Sequence, residues 1–389
     1  MRVSRHSLIF GLSYALDIMG QNNLCHSKST AYLSAMIAQA MGFSRSEIIE
    51  LFYAALLHDI GISDEHIKKD EYAVEMGRHC NRGYTILKKL PISPNIPYMV
   101  RLHHETWIGS GPFKKSGDEI PLAAELIGMT SMFDDVFGKV RTFDHAAFLR
   151  AKEWAVFHQR TFRGELITAL KRLLEEEHYL LNYFNHETKY LLNFPLEEGE
   201  DIFYGMEEIE QFAYCFADLI DQRSSFTFNH SVGLSRLARA AAIYLGYDEH
   251  TQNTMLIAGL LHDIGKLCVS PDILHKNGPL SPSERFEMNK HTYYTRKVLE
   301  QISGFEEIVD IAANHHERLD GVGYPYHLPA EKLGELERVM AICDVYQALT
   351  EDRPYRKGMP PDQAWRIINE MAERRHLDAD LVKKLIAQE

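Results

Sequence analysis

The chain has 389 residues, of which 45% are apolar and 25% charged, and its formal net charge is −13 at pH 7. A chain of this length exceeds one ordinary hydrophobic core, which predicts two domains. The negative charge argues against a broad nucleic-acid surface, so no DNA or RNA duplex is expected as a partner. Because no apolar run reaches 18 residues, neither a transmembrane helix nor a membrane partner is expected.

The N-terminal segment MRVSRHSLIFGLSYALDIMG is basic and then apolar. It contains Asp17, has the spacing of an amphipathic helix, and is followed by no small-residue cleavage site. These features predict a first helix, not a signal peptide. The five cysteines are scattered and form no CxxC pair, which favours a reducing, cytoplasmic location and argues against a disulfide framework.

The next helical pattern is STAYLSAMIAQAMGF, whose apolar residues recur every three or four positions up to a glycine. The strings LLHDIG and HHETWIG follow it. Further on, residues 144–184 (DHAAFLRAKEWAVFHQRTFRGELITALKRLLEEEHYLLNYF) predict one or two long amphipathic helices. We interpret them as a connector packed on the first domain; a dimerisation or interdomain helix is the alternative, so a homodimer stays open.

The segment NFPLEEGEDIFYG combines proline, glycine and an acidic run, which is typical of a domain boundary. We therefore expect a first domain with its connector at 1–195 and a second domain at 207–389. In the second half, SRLARAAAIYLGY, RVMAICDVYQALTE and PDQAWRIINEMAERR again predict helices, and alternating strand patterns are nearly absent. The expected fold class is all-α, with two tandem helical domains joined by a helical connector.

The two halves are copies of each other. The string LLHDIG occupies Leu56–Gly61 and again Leu260–Gly265. A histidine precedes the string's histidine by 32 residues in both copies, and a later pair of histidines is 24 residues apart in both. The offset between copies grows from 204 to 212, which places eight extra residues in the second copy's loop CVSPDILHKNGPLSPSE. The matched histidines are His26, His58, His79, His103 and His104 in the first copy and His230, His262, His291, His315 and His316 in the second.

The second copy combines five histidines with two aspartates, Asp263 and Asp344. Imidazole and carboxylate ligands suit iron, manganese, zinc and nickel, and seven ligands fit two ions better than one. Asp263 follows a ligand histidine directly, so its two oxygens can span both ions. A pair of metals about 3.5–4 Å apart generates hydroxide at neutral pH and clamps the oxygens of a phosphoryl transfer. The expected ligands are His230, His262, Asp263, His291, His315, His316 and Asp344.

The strings HDIGK and HHERLDGVGYP resemble the HD and GYP motifs of the HD-GYP phosphodiesterases, a branch of the HD-domain metal-dependent phosphohydrolases. The segments HSVGLSRLARA, PDILHKNGPLSPSE, KHTYYTRKVL and AICDVYQALTEDRPYR extend the resemblance over roughly residues 207–389. The resemblance implies a helical domain with a di-iron or di-manganese centre that hydrolyses cyclic di-GMP or a related cyclic dinucleotide in bacterial signalling. The tandem arrangement is similar to that of bacterial proteins linked to cyclic GMP-AMP turnover.

Carried over by this resemblance, the seven groups match the family's metal ligands, with Asp263 as a catalytic residue. Lys266 matches a lysine that contacts the scissile phosphate or helps the leaving oxygen, which agrees with the value of a fixed cation there. Arg353 and Arg356 match phosphate-holding residues; a solvated helix end is their alternative. A simple tight turn is likewise the alternative for the substrate-binding GYP loop. That loop comprises Gly321, Gly323, Tyr324 and Pro325.

Two departures from the family pattern concern the metal count. Some members carry a glutamate four residues before the first ligand histidine and bind a third metal; Phe226 stands there in this chain, so two metals are expected. The family's second acidic residue after the metal aspartate is Gln347 in this chain, and we do not expect Gln347 to be a ligand.

The first copy keeps its histidines and Asp59 but loses three features. Ile62 replaces the lysine, WIGSGPF replaces the GYP loop, and counting from the helix start places Ser131 opposite Asp344. Asp134, three residues further on, is a candidate replacement ligand because it lies near the same helix face. We expect the first copy not to hydrolyse well, to have a structural or regulatory role, and to retain the option of binding a metal.

The leading functional hypothesis is a phosphodiesterase that hydrolyses cyclic di-GMP or 3′,3′-cyclic GMP-AMP through a hydroxide activated by two divalent metal ions, iron or manganese. A non-catalytic cyclic-dinucleotide receptor is the first alternative, and the intact Lys266 argues against it. A general HD-type hydrolase of mononucleotides is the second, and the extended GYP motif argues against that.

Overall fold

The computed structural model describes residues 1–19, 25–62, 72–139, 144–185, 201–223, 230–352 and 357–387. The regular structure in these ranges is almost entirely helical, which confirms the all-α prediction. The chain divides into two compact units: the first unit comprises Leu12–Ile202, and the second unit comprises Met1–Gly11 together with Phe203–Glu389. The limits predicted from the sequence, 1–195 and 207–389, stay a prediction. None of the described helices is long and apolar enough to cross a membrane.

The first copy's helices surround an apolar core in the first unit. Helix α2 packs against α3 and α6, and α4 packs against α5. The α3 N-terminus is fixed by a capping box, in which Ser44 and Glu47 satisfy each other's backbone N–H groups. The predicted N-terminal helix is present as α1. The boundary between the two units falls inside this helix, between Gly11 and Leu12. The helices are α1 (Arg5–Met19), α2 (His26–Ala40), α3 (Arg45–Leu56), α4 (Tyr72–Leu87), α5 (Asn95–Leu102) and α6 (Leu122–Phe137).

The connector forms three helices, so the prediction of one or two is wrong. They are α7 (His145–Phe157), α8 (Gly164–Glu175) and α9 (Glu177–Asn185). The first break falls where Arg163 adopts an extended backbone (φ −52°, ψ 139°) and binds the buried Glu125. The second falls at Glu176, which is also extended. Because α7 packs on α6 and α8 on α2, the connector packs on the first copy, as predicted.

The second unit repeats the arrangement of the first copy. Helix α11 packs against α12 and α16, and α12 packs against α15. Helix α14 begins with Pro282 behind the N-cap Ser281, whose side chain accepts the N–H of Glu284. The elements are β2 (Phe203–Tyr204), α10 (Met206–Arg223), α11 (His230–Tyr244), α12 (Glu249–Leu261), α13 (Pro271–Leu274), α14 (Pro282–Leu299), α15 (Glu306–Ala313), α16 (Glu335–Thr350), α17 (Pro361–Glu373) and α18 (Ala379–Ile386).

The N-terminus belongs to the second unit because a two-residue strand, β1 (Val3–Ser4), pairs antiparallel with β2. Val3 lies opposite Tyr204, and both side chains are buried. In the same unit, Gly11 leaves no room for a side chain, since a Cβ there would lie 2.5 Å from Ile302. A strand pair this short has no sequence signal, so this return of the N-terminus was not predicted.

Candidate metal centre

The seven predicted ligands of the second copy converge, although they come from separate helices and helix ends. Six of the seven side chains are buried, and His316 is half-buried. The packing of α11, α12, α14, α15 and α16 around one point brings them together. They are His230 at the start of α11, His262 and Asp263 after α12, His291 within α14, His315 and His316 after α15, and Asp344 within α16.

The ligand atoms of six of these residues fall into two triads. Within each triad the atoms lie within 4.8 Å of one another, which is the spacing of groups that can hold one metal ion. The first triad is formed by His230, His262 and Asp344, and the second triad by His291, His315 and His316.

Asp263 lies between the two triads. Its Oδ2 is 3.0 Å from Nε2 of His262, and its Oδ1 is 3.5 Å from Nε2 of His291. Each carboxylate oxygen therefore faces a different triad. This is the placement that a carboxylate bridging two metal ions requires.

Three of the histidines are held in one tautomer by the backbone. Nδ1 of His262, His291 and His315 donates to the carbonyl three residues earlier, at 2.8, 2.8 and 2.7 Å. This leaves each Nε2 as the nitrogen that can bind a metal ion. Nε2 of His291, Nε2 of His315 and Oδ1 of Asp263 are buried without a hydrogen-bond partner. Buried polar atoms are normally paired, so these acceptors fit bound cations.

The electrostatics of His291, His315 and Asp344 also suit metal binding. Burial lowers the pKa of His291 to about 3 and that of His315 well below its ordinary value, so both imidazoles are neutral at pH 7. Burial alone would raise the pKa of Asp344, but its hydrogen bond to His230 and the surrounding imidazoles outweigh burial and hold it below the ordinary value. Neutral imidazoles beside an ionised carboxylate are the forms in which these groups bind metals.

Glu351 was not predicted from the sequence. Its Oε2 lies 3.0 Å from Nδ1 of His230, whose Nε2 lies 3.3 Å from Oδ1 of Asp344. Burial lowers the pKa of His230, but the hydrogen bonds to these two carboxylates outweigh burial and raise it to about 9. Glu351 thus orients a first-triad histidine from behind. The two residues are 121 positions apart, and no local pattern signals the contact.

Lys266 reaches the carboxylate between the triads. Its Nζ lies 2.5 Å from Oδ2 of Asp263, and 22% of its side chain is exposed. Asp263 is buried, which raises its pKa, but His262 and Lys266 outweigh burial and hold the pKa well below the ordinary value. The lysine therefore places a positive charge beside the carboxylate that faces both triads.

The loop after the double histidine requires its glycines. Gly321 has φ +74°, which favours glycine, and a Cβ at Gly323 would lie 2.4 Å from the Cα of Glu317. Glu317 organises the loop: its two carboxylate oxygens accept the N–H groups of Tyr326 and Leu328 at 2.7 and 3.0 Å. Glu317 was not predicted from the sequence, although a glutamate follows the double histidine in both copies.

Tyr324 lies beside the second triad. Its ring centroid is 4.9 Å from that of His316, and its N–H donates to the His316 carbonyl at 3.2 Å. Pro325 follows it directly, so both predicted loop residues lie at the edge of the centre. Arg353, Arg356 and Phe226 lie outside the described residues.

A protein-family model described as the HD domain matches residues 13–152 and 214–381. The chain belongs to the HD domain family. Both copies are therefore HD segments, and the two matches cover most of the first and second units. The buried histidine and aspartate clusters can bind metal ions, as is typical of HD domains.

Relatives of this HD protein carry cyclic-dinucleotide names. The 3′3′-cGAMP-specific phosphodiesterase 1 of Vibrio cholerae serotype O1 is 29% identical over 99% of this chain and 91% of its own length. A cyclic di-GMP phosphodiesterase of Pseudomonas aeruginosa is 38% identical over 41% of this chain and 39% of its own. The crystal structure of a cyclic GMP-AMP-specific phosphodiesterase of V. cholerae shares the fold, with a TM-score of 0.73 and 22% identity over 100% of this chain and 98% of that chain.

In the first HD copy, Ser131 stands where the second copy has Asp344. Its Oγ lies 3.2 Å from Nε2 of His58 and 3.3 Å from Nε2 of His26, and these two nitrogens lie 3.2 Å apart. The hydroxyl and the two imidazoles thus satisfy one another. The first copy therefore has no carboxylate at the position of Asp344, as predicted from the sequence.

Asp134 does not take the place of the lost ligand, so that candidate role is wrong. Its Oδ2 lies 2.7 Å from Nδ1 of His26, and its Oδ1 accepts the hydroxyl of Tyr183 at 2.6 Å. Both oxygens are therefore engaged on the side of the imidazole that faces away from His58. Asp134 supports His26 as Glu351 supports His230.

Proposed function

We propose that the second unit is a metal-dependent phosphodiesterase that hydrolyses a cyclic dinucleotide. The observation that supports this most is Asp263, whose two oxygens face the two histidine-containing triads. An arrangement of two adjacent ion sites that share a carboxylate is typical of enzymes that displace an oxygen at phosphorus. A purely structural metal site is closed, has four ligands and holds one ion.

The fit of this centre favours two divalent ions, iron or manganese. The first triad with Asp263 would hold one ion, and the second triad with Asp263 would hold the other. Five imidazoles with two carboxylates suit these borderline and hard ions, and no thiolate belongs to this set. When bound, the metal pair would supply Lewis acidity at the phosphoryl oxygens and lower the pKa of a water molecule.

The chain's own residues would bind and orient the phosphodiester. Lys266, held at Asp263, would face a non-bridging or leaving oxygen and stabilise its negative charge as the P–O bond breaks. Tyr324, beside His316, offers an aromatic face to a base. The GYP loop would position that ring, since Gly321 and Gly323 set the backbone of the loop. Arg353 and Arg356 are proposed to hold a second phosphate.

For the substrate we infer 3′,3′-cyclic GMP-AMP, with cyclic di-GMP as the second candidate. The first is supported by a relative named for that substrate that matches both copies of this chain. The second is supported by a more identical relative, whose match covers 41% of this chain. The two substrates differ at one base, so a preference rests on side chains around that base.

A chromatographic time course tests this proposal. Protein loaded with Mn²⁺ or Fe²⁺ is offered cyclic di-GMP and 3′,3′-cyclic GMP-AMP in parallel, with a chelated sample as control. We expect metal-dependent cleavage of at least one, faster for cyclic GMP-AMP. Binding of either without cleavage by metal-loaded protein would contradict the proposal and support a receptor. A third reaction offers a mononucleotide, and its cleavage without cleavage of either cyclic dinucleotide would support a general HD-type hydrolase.

A further inference from the structure

We propose that the first HD copy holds one divalent metal ion of the zinc class through His79, Cys80, His103 and His104, at a site that does not hydrolyse phosphodiesters. Among the described residues, the ligand atoms of these four lie within 4.8 Å of one another, and three of the four side chains are buried. The site is distinct from the centre of the second unit and from the proposed phosphodiesterase.

The three imidazoles of this cluster form the same triangle as the second triad. The ring centroids of His103 and His104 are 4.0 Å apart, and those of His79 lie 5.3 and 5.5 Å from them. In the second triad the corresponding distances are 4.1, 5.6 and 5.3 Å. The first copy has therefore kept the ring spacing of one half of the centre, although the ring planes of His79 and His103 meet at 86° and those of His291 and His315 at 50°.

The nitrogens of this triangle are available to an ion. Nδ1 of His103 donates to the carbonyl of Val100 at 2.6 Å, which leaves its Nε2 as a lone pair. That Nε2 and the Nε2 of His79 are buried without a hydrogen-bond partner. Unpaired buried acceptors are rare in folded proteins unless an ion or water satisfies them.

The other half of the first copy has a poorer ligand set for a second ion, although the ligand atoms of His26, His58 and Asp59 lie within 4.8 Å of one another. His26, His58 and Ser131 are hydrogen-bonded to one another, and Ser131 brings a hydroxyl in place of a carboxylate. Asp59 still lies between the halves, with Oδ1 3.5 Å from Nε2 of His79, and supplies negative charge beside the ion. One ion is therefore expected in this copy, not two.

Cys80 sets the chemistry of this site apart from that of the second copy. The equivalent position, 212 residues later, is Thr292, and no described group of close ligand atoms in the second unit includes a cysteine. Three imidazoles with one cysteine sulfur would supply a four-ligand set, which suits Zn²⁺ and Co²⁺ better than the harder ions. With Ile62 in place of the lysine and no second ion, this site lacks the parts that phosphodiester hydrolysis uses.

Cobalt substitution tests the proposal with a readout that is independent of activity. Protein stripped of metal and reloaded with Co²⁺ should show tetrahedral d–d bands and a thiolate-to-cobalt charge-transfer band. Cys80→Ser should abolish the charge-transfer band, whereas Cys343→Ser, a control cysteine beside the second centre, should retain it. Absence of that band from the parent protein, or its persistence in Cys80→Ser, would overturn the proposal.

Metal content provides a second test. His103→Gln should lower the bound metal by one equivalent per chain, and the matched variant His26→Gln, in the half where Ser131 stands in place of the carboxylate, should leave the metal content unchanged. Circular dichroism establishes that each variant is folded; should His103→Gln not fold, His104→Gln replaces it because His104 is less buried. Equal metal content in the parent and a folded His103→Gln or His104→Gln protein would overturn the proposal.

Discussion

The carboxylate of Glu351 lies 3.0 Å from Nδ1 of His230, and the equivalent nitrogen of His26 lies 2.7 Å from Asp134. The two supports do not come from equivalent positions. Asp134 aligns with Gln347, one helical turn before Glu351. In each copy, a carboxylate near the end of the equivalent helix contacts the equivalent histidine, but the two carboxylates come from different helical turns. Glu351 therefore takes the role that the uncharged Gln347 cannot fill.

We predict that Glu351→Gln weakens metal binding and lowers kcat/KM by about 10–100-fold, the usual cost of removing a carboxylate behind a ligand histidine. Adding Gln347→Asp should restore most of the metal affinity and most of kcat/KM. Asp134, at the equivalent position of the first copy, shows that a carboxylate there reaches Nδ1 of the histidine. Metal affinity is measured by competition with a chromophoric chelator, and Gln347→Asp alone is the control. Unchanged affinity in Glu351→Gln would show that the contact does not orient His230.

Lys266→Ile introduces the residue that stands at the equivalent position of the first copy. We expect kcat to fall by about 10²–10³-fold, the typical effect of losing one group that stabilises charge on a reacting oxygen. The metal content should stay at the parental value, because the lysine contacts Asp263 and is not itself a ligand. Steady-state kinetics and metal analysis of the same sample separate the two effects. Parental kcat in this variant would remove Lys266 from the mechanism.

Arg163→Ala should destabilise the first unit. Its backbone N–H and Nε bind Glu125 at 2.7 and 2.8 Å, and Glu125 is fully buried. Burial dominates and raises the pKa of Glu125, while Arg163 opposes that rise. Removing one partner of a buried pair costs about 3–5 kcal/mol because the remaining charge is uncompensated.

Hydrogen-exchange mass spectrometry measures this effect locally, since one unfolding free energy does not describe a chain of two units. Peptides of α6 and α8 should exchange faster in Arg163→Ala. The matched control is Arg172→Ala, an exposed arginine at the end of the same helix. Equal exchange in the two variants would show that the pair does not hold α8 on the first copy.

Much of the candidate site follows from the sequence because the chain repeats itself. Repetition of the spacings around His58 and His262 marked the histidines that converge, although only the two of each double histidine are neighbours in the chain. Ser131 was placed correctly by counting from a helix start, since a helix has a fixed rise per residue.

The parts that sequence reasoning missed depend on tertiary packing. Glu351 meets His230 across 121 residues, and Glu317 acts on N–H groups 9 and 11 residues away, so neither contact has a local signal. Asp134 was considered a replacement ligand because helix periodicity places it near the helix face of Ser131. Periodicity does not tell which ring nitrogen of His26 its carboxylate contacts, and the carboxylate contacts Nδ1, on the far side of the ring from His58. The interruption between α7 and α8 at Arg163 depends on the contact of Arg163 with the buried Glu125. Glu125 lies outside the amphipathic segment, so the pattern of that segment could not predict the interruption.

The most direct test of the central claim compares His262→Ala with His58→Ala. These histidines occupy the same position in the two copies, 204 residues apart, and each donates Nδ1–H to the carbonyl three residues earlier at 2.8 Å. Turnover of 3′,3′-cyclic GMP-AMP and cyclic di-GMP is measured for both proteins, with circular dichroism as a check of folding. We predict that His262→Ala abolishes hydrolysis and that His58→Ala retains most of it. Loss of hydrolysis in a folded His58→Ala protein, or its retention in His262→Ala, would contradict the assignment of hydrolysis to the second copy.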